Sequence, residues 1–281
     1  MSHTVMLTTD DIKGYQGGSL ERGPGFLYVQ PHPCLRPFVS NYTVSFPTPV
    51  SMPDTYTVLP TVSSTVVLSV NSTGIVSSLR GVNTVACNVG GHANKMKLLV
   101  LIEFHPGCLF HFLQIEQHEL LNHSFSLSDL NSGFAHGLEN ALESAMSIQG
   151  LFDALDSILL YRLSGKTQDP LTAAMMELIL TRHGCMDMRC LSSKVHYSEK
   201  QMRRTFVKYV GTGPKEFARI ARFNYAVKLL KTTPARHADI AAQTGYYDQS
   251  HFIHEFRAIC GLMPQEYSGN MSVFYNDRFK M

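Results

Sequence analysis

The feature that most restricts the fold of this chain is an internal repeat near its C-terminus. Tyr197 to Phe217 (YSEKQMRRTFVKYVGTGPKEF) and Tyr247 to Tyr267 (YDQSHFIHEFRAICGLMPQEY) align without a gap at an offset of 50 residues. Tyr197 and Tyr247, Phe206 and Phe256, Gly211 and Gly261, and Pro214 and Pro264 are identical, while Met202 matches Phe252 and Phe217 matches Tyr267. A segment used twice marks a repeated supersecondary unit. The retained positions are those that a buried helix face and its terminator need.

In the first copy Ser198 suits an N-cap and Gln201 falls three residues later, the capping-box spacing that satisfies orphan amide donors, so a helix is expected from about Glu199. Met202, Phe206, Tyr209 and Val210 share one helical face, Lys200, Gln201, Arg204 and Lys208 the other with Arg203 beside them, and Gly211 ends the helix. Arg and Gln can make bidentate hydrogen bonds to base edges, and Lys neutralises phosphates. The second copy starts at Asp248, buries Phe252, Phe256 and Ile259, and exposes Gln249, Ser250, His254 and Arg257. Glu255 lies beside this face and His254 takes the place of Arg204, so the first helix is expected to supply more affinity and the second to tune specificity.

Short supporting helices are expected before each copy, at Met188 to Val195 and Ala238 to Thr244, which gives both the helix-turn-helix form. Lys215 to Lys231 reads as one amphipathic connector, with Pro214 suited to its first turn. At about 1.5 Å per residue the connector spans roughly 26 Å. With the supporting turns, the two units approach the roughly 34 Å of one DNA turn and can reach adjacent major grooves. A lone amphipathic helix with Arg and Lys outside is an ordinary solvated surface. Two capped, stopped and similarly spaced ones joined by a helix are hard to obtain as plain surface.

On SEKQMRRTFVKYVGTGPKEF, then ARFNYAVKLL, then DIAAQTGYYDQSHFIHEFRAICGLMPQEY, the segment Leu171 to Tyr267 resembles the double helix-turn-helix domain of the AraC/XylS family of bacterial transcriptional regulators. The resemblance implies that Lys200, Gln201, Arg203, Arg204 and Lys208, and Gln249, Ser250, His254 and Arg257, contact double-stranded DNA. It also implies RNA polymerase as a partner and activation rather than repression. His254 departs from the Arg common at its place in the family.

Charge agrees with this division. The chain of 281 residues carries a net charge of +2, yet from Gln168 onward 16 Lys and Arg stand against 10 Asp and Glu, so the positive charge is concentrated in the second half. Counterion release on phosphate binding needs such clustering. No apolar run approaches a membrane span, and the N-terminus lacks a basic-then-apolar signal pattern. Cys34, Cys87, Cys108, Cys185, Cys190 and Cys260 form no CxxC pair and read as reduced thiols, so a cytoplasmic protein is expected, with no membrane partner.

The expected fold class is α+β, a β-rich barrel- or sandwich-like N-terminal sensor domain followed by an all-α double helix-turn-helix domain. Residues 1–25 read as a partly ordered arm, 26–130 as the sensor, 131–167 as a helical segment and linker, 168–270 as the DNA-binding domain, and 271–281 as a tail. Runs such as FLYV, YTVSF, STVVLSV and KLLVLIEF, punctuated by Pro, Asn and Gly, supply the strands. A closed sheet can hold a small-molecule effector between its walls. The order Pro31-His-Pro-Cys-Leu35, Val58-Leu-Pro60 and Glu103-Phe-His-Pro-Gly107 is similar to the N-terminal sensor region of one AraC-type subgroup. Leu138, Leu142, Ala145, Ile148, Phe152, Leu155, Leu159 and Leu163 form a stripe that either packs on the sheet or makes a homodimer seam.

His105, Cys108 and His111 form the densest chemical cluster, and thiolate plus imidazole suits zinc. No complete ligand set accompanies them, so packing at a strand-to-helix turn is the favoured reading and no cofactor is expected. The rival function is a metal-dependent, cupin-like enzyme with a regulatory helical domain. A β domain that only mediates oligomerisation is the third reading.

Overall fold

The computed structural model describes residues 5–163, 168–232 and 236–269. Its N-terminal part begins with helix α1 (Thr9–Gly14) and strands β1 (Glu21–Gly23), β2 (Phe26–Val29), β3 (Val39–Ser45), β4 (Thr57–Val58), β5 (Thr65–Val70), β6 (Ile75–Arg80) and β7 (Cys87–Asn88). Helix α2 (Gly90–Ala93), β8 (Leu98–Phe104), α3 (Phe110–Leu113), a single 3-10 turn at Gln117–Leu120 and β9 (Ser124–Ser126) follow. Two long helices, α4 (Leu127–Glu143) and α5 (Ile148–Leu163), complete this part.

Seven strands form one antiparallel sheet in the order β1-β2-β3-β8-β5-β6-β9, and β4 and β7 pair as a separate two-stranded ribbon. Strand β5 shows how side chains set the layers. Val66, Leu68 and Val70 point to one face and are buried, whereas Thr65, Val67 and Ser69 point to the other and are half-buried. Helices α4 and α5 cover the first face, and all eight residues of the Leu138 to Leu163 stripe enter its core. Ribbon and α2 cover part of the second face, over a smaller core of Phe26, Tyr28, Met52, Tyr56, Ala93, Met96 and Leu99.

Two expectations change here. The α+β order holds, an antiparallel sheet part followed by an all-helical one, but the sheet does not close into a barrel: the α4–α5 pair covers one face, and β1 and β9 end as separate edges among the described residues. The stripe is consumed by the sheet, so it is not a free seam for a second copy. Segment 5–25, read as an arm, holds α1 and β1, and Leu7, Ile12 and Tyr15 are buried in the main core. Of the expected linker, residues 164–167 lie outside the described residues, as do residues 270–281 with the expected tail.

The second part is helical: α6 (Pro170–Thr181), α7 (Met188–Val195), α8 (Glu199–Val210), α9 (Pro214–Thr232), α10 (His237–Gln243), α11 (Gln249–Cys260) and α12 (Pro264–Gly269). Helices α6 to α8 and the start of α9 enclose one core around Met202, Phe206, Phe217 and Ile220. The rest of α9 with α10 to α12 encloses another around Phe223, Val227, Phe252 and Phe256. The connector α9 therefore changes core between Ala221 and Phe223, and it is buried on more of its circumference than an amphipathic surface helix. No helix among the described residues is long and apolar enough to cross a membrane.

Candidate nucleic-acid interface

Both repeat helices start and stop by the chemistry their sequence carries. Ser198 Oγ accepts from the Gln201 amide at 3.3 Å, while Gln201 Oε1 accepts from the Ser198 amide at 3.2 Å, closing the capping box of α8. Asp248 caps α11 by accepting from the His251 amide at 2.7 Å. Gly211 and Gly261 end the two helices in the left-handed region, at φ 93° and 78°.

Between these ends the expected side chains fall on the open faces. Lys200, Gln201, Arg203 and Arg204 of α8 are exposed, as are Gln249, Ser250, His254 and Arg257 of α11. Two of the expected residues carry a second task. The capping box uses the carbonyl oxygen of Gln201 and leaves its amide NH2 for another acceptor. Lys208 is half-buried, with its ammonium 5.5 Å from the ring centre of Phe110 and 5.4 Å from that of Tyr209, so it faces the N-terminal part.

Several residues of this surface take roles that the sequence did not assign to them. Glu255 is not a stray charge beside the second reading face: Arg219 Nε donates to its Oε1 at 3.0 Å and Arg222 Nη2 to its Oε2 at 3.3 Å, and its side chain is only 12% exposed. Arg219 also donates to Glu216 at 2.8 Å. This chain of charges ties α11 to the connector. Burial first, then the Glu255 carboxylate, hold the neighbouring Tyr246 hydroxyl protonated far above its ordinary range. Nothing in helical periodicity pairs α9 with α11, so the signal was absent from the sequence. Tyr197 and Tyr247 were visible as identities, but only the fold shows both rings exposed, at 45% and 92%, just ahead of the two N-caps.

An open groove of about 1190 Å³ runs along α8, with Lys200, Arg203 and Arg204 on one side and Lys215 and Arg219 of α9 on another. Glu116 and His118 of the N-terminal part stand at its border. Nearby, the Phe110 and Tyr209 rings meet at 4.8 Å, and a Cβ on Gly211 would lie 2.8 Å from the Gln117 carbonyl oxygen.

The metal candidates are dispersed into packing. His105 Nε2 lies 3.1 Å from the Arg36 carbonyl, Cys108 Sγ is 3.0 Å from Gln168 Nε2, and His111 is buried against Phe38 and stacked on Tyr209. Burial pushes the Cys108 thiol up to about 12. Among the described residues no three His, Cys, Asp or Glu side chains gather as a metal site.

A match to known proteins bears on the same helices. Residues 191–270 match the profile of a helix-turn-helix domain family. The C-terminal region is an AraC-type helix-turn-helix domain. An uncharacterised HTH-type transcriptional regulator of Escherichia coli (strain K12), YidL, is 31% identical over 101 residues, which is 34% of this chain and 34% of that protein. The chain thus matches about a third of this relative's length. A solved AraC-type regulator from Chromobacterium violaceum is 24% identical over 36% of this chain and 90% of its own, with a TM-score of 0.34. ToxT from Vibrio cholerae O395 is 12% identical over 80% of this chain and 96% of its own, with a TM-score of 0.42. At TM-scores below 0.5 these likenesses bear on neither the placement of the two parts nor their work.

Besides the contacts of Phe110, His111 and Gln117 with the end of α8, one thin segment of the N-terminal part reaches both helix-turn-helix units. In Val58 to Ser63, Leu59 enters the core of the second helix-turn-helix unit and Val62 that of the first, while the buried Asn224 side chain of α9 donates to the Pro60 carbonyl at 3.3 Å. The Ala86 amide, from the loop before β7, donates to the Ile259 carbonyl at the end of α11 at 2.9 Å. Val58, Thr61 and Ser63 face the other way, into a cavity of about 330 Å³ between the sheet and the ribbon.

Proposed function

We propose that the protein is a sequence-specific transcriptional regulator that reads DNA with α8 and α11 and answers a small molecule held by its N-terminal part. The observation that carries the DNA reading is the pair of capped helices on one connector, each with an exposed polar face beside a filled core. Lys200, Arg203 and Arg204 are the main contacts of the first head, and Gln249, Ser250, His254 and Arg257 those of the second. Gln201 contributes its free amide, and Lys208 contributes only when the N-terminal part shifts from Phe110. Supporting an effector is the cavity, whose volume lies at the lower end of the range for small-molecule sites. Cytoplasmic location and activation through RNA polymerase follow the resemblance of the AraC-type domain, and footprinting upstream of a regulated promoter with transcription in vitro tests the activating role.

The decisive experiment is a salt-dependent binding titration of the full chain against a random-sequence DNA pool, with recovery of enriched sites. Two short motifs about one helical turn apart are expected. Binding without enrichment would reduce the surface to a basic patch and end the regulator reading.

A further inference from the structure

The floor of the cavity carries one polar row across the sheet. Thr65 on β5 pairs with Glu103 on β8 and with Arg80 on β6, so the two charged residues flank it on the same face. Two strand spacings place their backbones about 10 Å apart. Glu103 is fixed by the Asn41 side-chain amide, which donates to its Oε2 at 2.7 Å. Arg80 lines the cavity and is half-buried, and among the described residues its guanidinium has neither an ion pair nor a hydrogen bond. Beyond this row the lining is mainly apolar, with Val67, Leu99 and Leu101 on the floor and Met52, Tyr56 and Ala93 above them, interrupted by the neutral side chains of Ser69 and Ser78 and, at the ribbon side, by Asn88 and His92.

Resting on the effector reading, we propose that this cavity takes a small monocarboxylate with an apolar body. Its carboxylate lies on Arg80, its body lies over Val67, Leu99 and Leu101, and its presence is transmitted to both DNA-reading heads through Val58 to Ser63. The guanidinium fork matches a carboxylate bidentately, and a half-buried cation without a partner gains most from such a ligand. Glu103 limits the ligand to one negative charge, because a second one at that end of the row would meet a carboxylate of like sign. The route outward follows from the alternation of the segment: a ligand pressing on Val58, Thr61 or Ser63 moves Leu59 and Val62, which belong to different helix-turn-helix cores. A signal that crosses there changes how the two heads sit relative to one another.

The test uses the full chain and fluorine NMR with fluorinated monocarboxylic acids from pentanoic to octanoic, each paired with its primary amide. The acids are expected to bind at least about ten-fold more tightly than the amides, a difference of about 1.4 kcal/mol. Arg80→Gln should remove that preference. Arg80→Lys, which keeps the charge and loses the fork, should retain part of it and decides the matter if the Gln variant does not fold. Equal binding of acid and amide, acid binding untouched in both variants, or no acid binding at millimolar concentration would overturn the proposal. Titrating selected DNA with and without a bound acid reads the transmission: an altered affinity that Val62→Ala weakens supports it, and an unaltered affinity refutes it. Failure of the chain to select any DNA site would sink the regulator reading while leaving the acid-over-amide contrast to stand.

Discussion

A single side chain, Arg204, concentrates what the first reading head is expected to do. It is exposed on α8 and free of the capping and interdomain contacts that hold Gln201 and Lys208. Arg204→Ala is expected to weaken binding to a selected site by about 1–3 kcal/mol and to relax preference at one base position, whereas Lys200→Ala should weaken all sequences alike and lower the salt slope by about one. Titrations at several salt concentrations separate the two. Glu255→Gln acts differently, because it leaves Arg219 and Arg222 facing a neutral amide. Their side chains are 28% and 21% exposed, so the loss of stability is expected to be about 1–2 kcal/mol, below the roughly 3–5 kcal/mol of a fully buried pair. A denaturant melt checks it. Cys108 supplies a pH test. Its thiol is raised to about 12 by burial, so the folded chain keeps the proton that the unfolded chain releases above its ordinary value near 9. Its contribution to stability is complete below about 9 and is lost as pH rises toward about 12. Native alkylation at mildly alkaline pH should mark exposed Cys34, Cys87 and Cys190 and spare Cys108 until the chain unfolds.

At the scale of elements, equal sequence positions do unequal work. Gly211 and Gly261 both terminate a repeat helix with positive φ, so alanine at either costs about 1–2 kcal/mol of backbone strain. Only Gly211 touches the other part of the molecule, where an added Cβ meets the Gln117 carbonyl at 2.8 Å; at Gly261 nothing lies within 4 Å. Gly211→Ala is therefore expected to loosen the seat of the N-terminal part as well, visible as faster hydrogen exchange around Gln117, while Gly261→Ala lowers stability alone. The extents of α7, α8 and α11 were legible because caps, stops and a 3.6-residue period are local signals. The connector was legible as a helix but not in its packing: Phe223, Asn224 and Val227 are buried because a second core begins there, which a single amphipathic stripe does not announce.

At the scale of the whole molecule, local patterning determined the strands, the two repeat helices and the division of charge. Repeat, capping boxes and alternation act within a few residues, so they are written in the order of the chain. What covers the sheet, and what one half of the chain does to the other, depends on surfaces brought together from far apart. Thus the stripe from Leu138 to Leu163 fits either a sheet or a second copy until the sheet is seen to cover it. Likewise Val58-Leu-Pro60 is, in the sequence, only a short motif ahead of a strand, yet the fold makes it a partition between a cavity and two helical cores. Sequence by itself determined that this chain would present two capped helices with polar faces, because those choices are local and periodic. Only the tertiary structure decided that Glu255 turns inward to two arginines, that Lys208 rests on an aromatic of the other half, and that Arg80 is left facing a cavity. Charge pairing is a matter of distance in space, which spacing along the chain does not encode.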